Sequence, residues 1–166
     1  MSGPDERATR PMRTAIVTAS YAPDLERCRL LCETIDAHVE GFTRHYILVE
    51  HADVPLFRSL ATPTRVIVDE RDLLPSWFRS FPDPLSLGRK RIWLSLRTKP
   101  LRGWHAQQFR RIAIAGHAEE DALFYVDSDV VFLKRFSADR LWRGQDARLF
   151  RRDDALAGPG YGNQKM

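Results

Sequence analysis

Residues 122–133 read Ala-Leu-Phe-Tyr-Val-Asp-Ser-Asp-Val-Val-Phe-Leu. Apolar residues Ala122 to Val126 run directly into Asp127-Ser128-Asp129, and Val130 to Leu133 follow. A continuous apolar run rich in aromatic and β-branched residues predicts a strand buried on both faces, central in its sheet. Paired carboxylates at the end of such a strand cost several kcal/mol to desolvate unless a cation or strong hydrogen bonds offset them. In an extended segment residues i and i+2 point to the same side. Asp127 and Asp129 can then converge on one hard, oxygen-seeking cation, Mg²⁺ or Mn²⁺. The alternative is local: Asp and Ser are common where a strand turns and bond their own backbone there.

Working outward, the chain alternates strands and helices. Arg13 to Ala19 predicts a first strand, followed by a loop and helix start over Ser20 to Asp24. Leu25, Cys28, Leu31, Cys32, Ile35 and Val39 recur mostly at steps of three and four, an amphipathic helix ending near Gly41. His45 to Val49 predicts a second strand, Asp53 to Leu60 a short helix, and Arg65 to Val68 a third strand. This order predicts an α/β fold with a mostly parallel, Rossmann-like sheet flanked by helices. Asp69 to Gly88, with three prolines, reads as a partly helical excursion, and Ile92 to Leu96 as a further strand. Gly103 to Gly116 reads as a helix with Phe109, Ile112 and Gly116 on its core side. Ser137 to Trp142 reads as a turn or short helix, Ala147 to Phe150 as a strand, and Gly158 to Asn163 as loop.

A chain of 166 residues with 43% hydrophobic and 29% charged residues fits one globular domain, expected over residues 13–152. Residues 1–12 read as a disordered leader and 153–166 as a flexible tail or truncated continuation. No run approaches the length of a membrane span. Two cysteines and no export signal point to a reducing cytoplasm. The net charge is only +4, but Pro84 to Ala118 contains no acidic residue. Arg89, Lys90, Arg91, Arg97, Lys99, Arg102, Arg110 and Arg111 fall in that window, which suits either an anionic partner or a solvated basic face.

Cys28 and Cys32 share the apolar stripe of the first helix and have no second pair at zinc-like spacing, so they read as core. No histidine accompanies a recognisable nucleophile, and the chain has neither a P-loop nor a Gly-x-Gly-x-x-Gly.

Several features come in a fixed order. Thr18-Ala19-Ser20-Tyr21 closes the first strand. Gly103-Trp104 is followed by Gln107-Gln108 and the cation Arg111, and then by Phe124 to Phe132 around Asp-Ser-Asp. This combination resembles the nucleotide-binding half of a GT-A-fold glycosyltransferase. More narrowly, it resembles a group of mostly uncharacterised bacterial glycosyltransferase-like proteins, over roughly Arg13 to Phe136. The resemblance implies a nucleotide-diphosphate sugar donor whose diphosphate sits on Mn²⁺ or Mg²⁺, with an acceptor of unknown nature. It implies Asp129 as direct metal ligand, and Asp127 as ribose contact or water-mediated ligand. Thr18, Ser20, Tyr21, Gln108, Arg111, Asp127 and Ser128 are the implied nucleotide-sugar contacts. Arg111 stands where that group has Lys, which changes the geometry of a phosphate contact. Such proteins place their acceptor site and catalytic base after this half. The chain therefore reads as lacking the C-terminal acceptor half, and no catalytic base is assigned.

Two other classes remain open. One is a metal-dependent phosphohydrolase or Toprim-like domain, although haloacid-dehalogenase-type phosphatases place Asp-x-Asp after their first strand. The other is a non-catalytic binder of nucleic acid or another polyanion through Arg89 to Arg111, of which nucleic acid is the less expected partner.

Overall fold

A computed structural model describes residues 10–86, 91–94 and 100–148. The strands are β1 (Thr14–Ala19), β2 (Val39–Glu40), β3 (Arg44–Val49), β4 (Arg65–Asp69), β5 (Arg79–Pro82), β6 (Arg91–Leu94), β7 (Leu101–Arg102), β8 (Ala122–Tyr125), β9 (Phe136–Ser137), β10 (Trp142–Arg143) and β11 (Asp146–Ala147). The helices are α1 (Leu25–His38), α2 (Val54–Phe57), α3 (Glu70–Leu73) and α4 (Gly103–Ala113).

The architecture is α/β. Four strands form a parallel sheet in the order β4-β3-β1-β8, a Rossmann-like layout flanked by helices. Every residue of β1 is buried. A central parallel strand is covered on both faces, which is why Thr14 to Ala19 reads as a nearly unbroken small and apolar run. Alternation along β1 and β3 assigns the two faces. Ala15, Val17 and Ala19 pack with Tyr46, Leu48 and Ile114 on one side. Ile16 packs with Leu31 and Ile35 of α1 on the other, where Ile47 and Val49 meet Cys28, Cys32 and Phe57. Both cysteines are free and buried, filling the helix–sheet seam as small hydrophobes.

A buried polar network ties this second face together. Arg65 Nε donates to His45 Nδ1 at 3.2 Å, so the neutral ring carries its proton on Nε2 and donates it to Thr18 Oγ1 at 3.0 Å. Arg65 also reaches Cys32 O at 3.2 Å and Asp36 Oδ1 at 2.5 Å. Burial, reinforced by Arg65, pushes His45 down to about 3.

Three expectations change. First, β8 is an edge strand, not the central one, and Tyr125 is 40% exposed. The apolar composition of residues 122–126 registers packing on α1 and β1 but cannot reveal that no strand pairs with the outer edge among the described residues. Second, the extended segment expected to carry Asp127 and Asp129 is a turn, and the apolar residues after it form no strand among the described residues. Phe132 packs against the α1 cluster, whereas Val130, Val131 and Leu133 are exposed. Third, α4 and the helical turn that follows it set a different face inward. Ala106, Arg110 and Ile114 are buried, while Phe109 and Ile112 face solvent. Ala106 joins Leu74, Phe78 and Trp93 in one cluster, and Trp93 and Glu70 lie beside the buried Arg110.

The excursion after β4 builds a small antiparallel sheet, β5-β6-β7. The sequence reading anticipates β6 but not β5, whose Pro82 argues against a strand. Residues 1–9, 87–90, 95–99 and 149–166 lie outside the described residues, and with them most of the expected leader, all of the tail, and Arg89, Lys90, Arg97 and Lys99. Among the described residues no helix is long and apolar enough to cross a membrane.

Candidate functional site

In an open parallel sheet, ligands bind beyond the carboxyl ends of the strands where the strand order reverses. Here that point lies between β1 and β8, because the chain proceeds from β1 through β3 to β4 on one side and returns to β8 on the other. Val17 pairs with Tyr125, and Val126 N donates to Val17 O at 3.0 Å. Asp127 therefore leaves the sheet beside Ala19, as the sequence reading expects.

The strand stops at Tyr125, and Val130 N closes a turn onto Asp127 O at 3.2 Å. The two carboxylates thus sit on a turn rather than in the extended strand expected. They still share one cleft of ≈ 240 Å³, lined by Asp127, Ser128 and Asp129 on one wall and by Gln107, Gln108 and Arg111 of α4 on the other. Ser128 is buried, with Oγ 3.5 Å from Asp24 Oδ2, and Asp24 also faces the cleft. Gln107 Nε2 donates to Ala19 O at 3.4 Å, which anchors α4 over the end of β1.

Arg111 and Asp127 form an ion pair across the mouth of this cleft. Arg111 is held from behind, since Tyr125 Oη donates to its carbonyl at 2.6 Å and its guanidinium lies 5.7 Å from the Tyr125 ring centroid. Its Nε is buried without a hydrogen-bond partner. Arg111 and Gln108 share one face of α4, as their i, i+3 spacing predicts.

A second cavity of ≈ 350 Å³ adjoins the first, sharing Asp24 and Gln107. Ser20, Tyr21, Glu50 and Arg110 line it. Sequence reasoning assigned Ser20 and Tyr21 to the ligand but missed Glu50 and Arg110. Glu50 is the first residue after β3, a position that signals the carboxyl edge once the strand is recognised. In the sequence Arg110 reads only as one charge in a run. Burial pushes Glu50 up to about 7, against the opposing pull of Arg110.

Of the expected contacts, Ser20, Tyr21, Gln108, Arg111, Asp127, Ser128 and Asp129 line one cavity or the other. Thr18 lines neither. It points to the opposite face of the sheet, fully buried, and its hydroxyl is taken by His45. The side chain of Trp104 lies outside the described residues.

The donor set at Asp127 and Asp129 is hard oxygen, which suits Mg²⁺ or Mn²⁺. Among the described residues no group of three or more His, Cys, Asp or Glu side chains is placed to hold a metal. The residues thus fit a cation bound by one or two carboxylates that takes its other ligands from water and phosphate, the usual manner of Mg²⁺.

The acid-free block does not form a free basic face where it is described. Arg91 Nε lies 3.0 Å from Glu50, Arg110 Nη1 lies 3.8 Å from Glu70, and Arg111 pairs with Asp127.

A model of a protein family of unknown function, DUF6492, matches residues 11–154. The chain belongs to the DUF6492 family. No curated protein and no solved structure matches it. The DUF6492 match spans the whole parallel sheet, both cavities and the Asp-Ser-Asp turn, so these are features of the family's own region of the chain.

Proposed function

We propose that this chain carries the nucleotide-binding region of a metal-dependent glycosyltransferase of the GT-A kind. One observation carries the reading. A paired-carboxylate turn faces a cationic, glutamine-lined helix across a cleft at the reversal point of a parallel sheet. Asp129, with Asp127 beside it, would hold Mn²⁺ or Mg²⁺. When bound, that ion supplies Lewis-acid stabilisation of charge on a departing diphosphate.

The chain's own residues do the rest. Arg111 can transfer its Nη2 from Asp127 to a phosphate oxygen when the ligand arrives. Gln107 and Gln108 present amide donors to the same space. Ser20 and Tyr21, just beyond β1, extend the ligand surface into the adjoining cavity. Of the acid-free block, Arg91, Arg110 and Arg111 are each ion-paired, which weighs against their serving as a free polyanion-binding face.

Calorimetry with UDP and GDP, in Mn²⁺ and in excess chelator, tests this. Binding should need the metal, and Asp129→Ala should abolish the difference between the two conditions. Equal affinity with and without metal in the unaltered protein would overturn the proposal.

A further inference from the structure

The second cavity contains a buried cation that the nucleotide-sugar reading does not use. Arg110 is 3% exposed, and its Nε and Nη1 make no hydrogen bond. An unsatisfied buried guanidinium is costly, so an acceptor supplied from the cavity would stabilise it. Ser20 Oγ is likewise buried, beside the Cys28 thiol. The Glu50 carboxylate stands in the same cavity.

The charges select the occupant. Glu50, Glu70 and Asp53 all act on Arg110, and Asp24 lines the cavity. A phosphate here would meet these acids, and an apolar group would leave Arg110 unsatisfied. A neutral group bearing paired hydroxyls meets both needs, since each hydroxyl donates one hydrogen bond and accepts others.

We propose that this cavity is a polyol subsite, in which Glu50 accepts hydrogen bonds from a vicinal diol and Arg110 donates to the same hydroxyl oxygens. The proposal rests on the nucleotide-sugar reading for the source of the diol, which is either the ribose or the transferred hexose. Glu50 accepts best when ionised, and the groups facing it are Arg110, Glu70, Arg91 and Asp53. Affinity for the diol therefore rises from pH 6 to pH 8.

The test titrates isotope-labelled full chain with methyl β-D-ribofuranoside, its 2-deoxy counterpart and methyl α-D-glucopyranoside, following backbone amide shifts. One of the two diol-bearing glycosides should shift Ser20, Tyr21, Glu50, Gln107 and Arg110 saturably at millimolar concentration. The arm that responds names the source. If it is the ribofuranoside, removing the 2-hydroxyl should weaken binding about tenfold, the effect of one hydrogen bond to a charged group. Glu50→Gln should abolish the pH dependence. Absence of shifts with both glycosides, a responding ribofuranoside that its 2-deoxy counterpart matches in affinity, or unaltered pH dependence in Glu50→Gln would overturn the subsite. Metal-dependent UDP or GDP binding without a glycoside response removes the subsite and keeps the nucleotide reading. A glycoside response without nucleotide binding does the reverse.

Discussion

Arg111 and Asp127 neutralise one another across the first cleft, and the carboxylates of Asp24 and Asp129 leave the ligand-free site net acidic. A diphosphate that draws Arg111 away frees Asp127 for a cation, and the two events then favour each other. Charge-assisted contacts to phosphate contribute about 1.5–3 kcal/mol, or one to two decades of affinity. Arg111→Ala should therefore weaken binding of a nucleoside diphosphate by about ten- to a hundredfold while leaving the nucleoside alone nearly unchanged; equal losses for both ligands by calorimetry would contradict that role. Two buried groups also set opposing pH dependences. Glu50 keeps its proton in the folded state up to about pH 7 but in the unfolded chain only to the ordinary 4.5, so stability falls as pH rises through that window. His45 titrates at 6.5 when unfolded and at about 3 when folded, so stability falls as pH drops below 6.5. Glu50→Gln removes the first effect. Its thermal midpoint should exceed that of the unaltered protein at pH 8 by the equivalent of about 2–3 kcal/mol, and the gap should close below pH 4.5. A gap of the same size at both pH values would show that Glu50 is not the titrating group.

Helix α4 carries the cationic wall of both cavities, and its rotational setting decides which residues reach them. Its sequence places Gln108 and Arg111 on one face, and the structure brings both to the first cleft. The inward face was not legible, because hydrophobicity favours Phe109 and Ile112 over Arg110. Trp93, 5.9 Å from the Arg110 guanidinium, and Glu70, which accepts from Trp93 Nε1 at 3.1 Å, reverse that preference. Both partners come from other elements, so no helical window contains them. The setting has a direct consequence for stability. Ile112, 73% exposed, should tolerate Ile112→Ser within about 0.5 kcal/mol. Ile114, fully buried against β1 and β3, should lose about 2–5 kcal/mol as Ile114→Ala. Urea denaturation distinguishes this from the reverse order, which would mean that Phe109 and Ile112 form the core face. The strands and long helices are read well from sequence because alternation and 3.6-residue spacing are local. The short β5 and the edge position of β8 are not, because strand pairing is decided by partners far along the chain.

For the molecule as a whole, the parallel sheet gathers residues from four distant segments at one edge: Ser20 after β1, Glu50 after β3, α4, and the Asp127–Val130 turn after β8. The Asp-Ser-Asp turn and the Gln108–Arg111 pair were legible because their chemistry is concentrated in short motifs. Glu50 and Arg110 were not, since each becomes informative only when the topology sets them in one cavity. Thr18 misled for the opposite reason: it is next to the site in sequence, but strand alternation turns it to the far face. Paramagnetic relaxation by substoichiometric Mn²⁺ reads the assembled site in one experiment, on isotope-labelled protein with UDP and then GDP. The amide signals of Ala19 to Tyr21, Gln107 to Arg111 and Asp127 to Val130 should broaden first, and Asp129→Ala should restore them. Broadening centred elsewhere, such as the buried Glu120 carboxylate at the opposite edge of the sheet, or broadening unchanged in Asp129→Ala, would contradict a metal–nucleotide site at this turn.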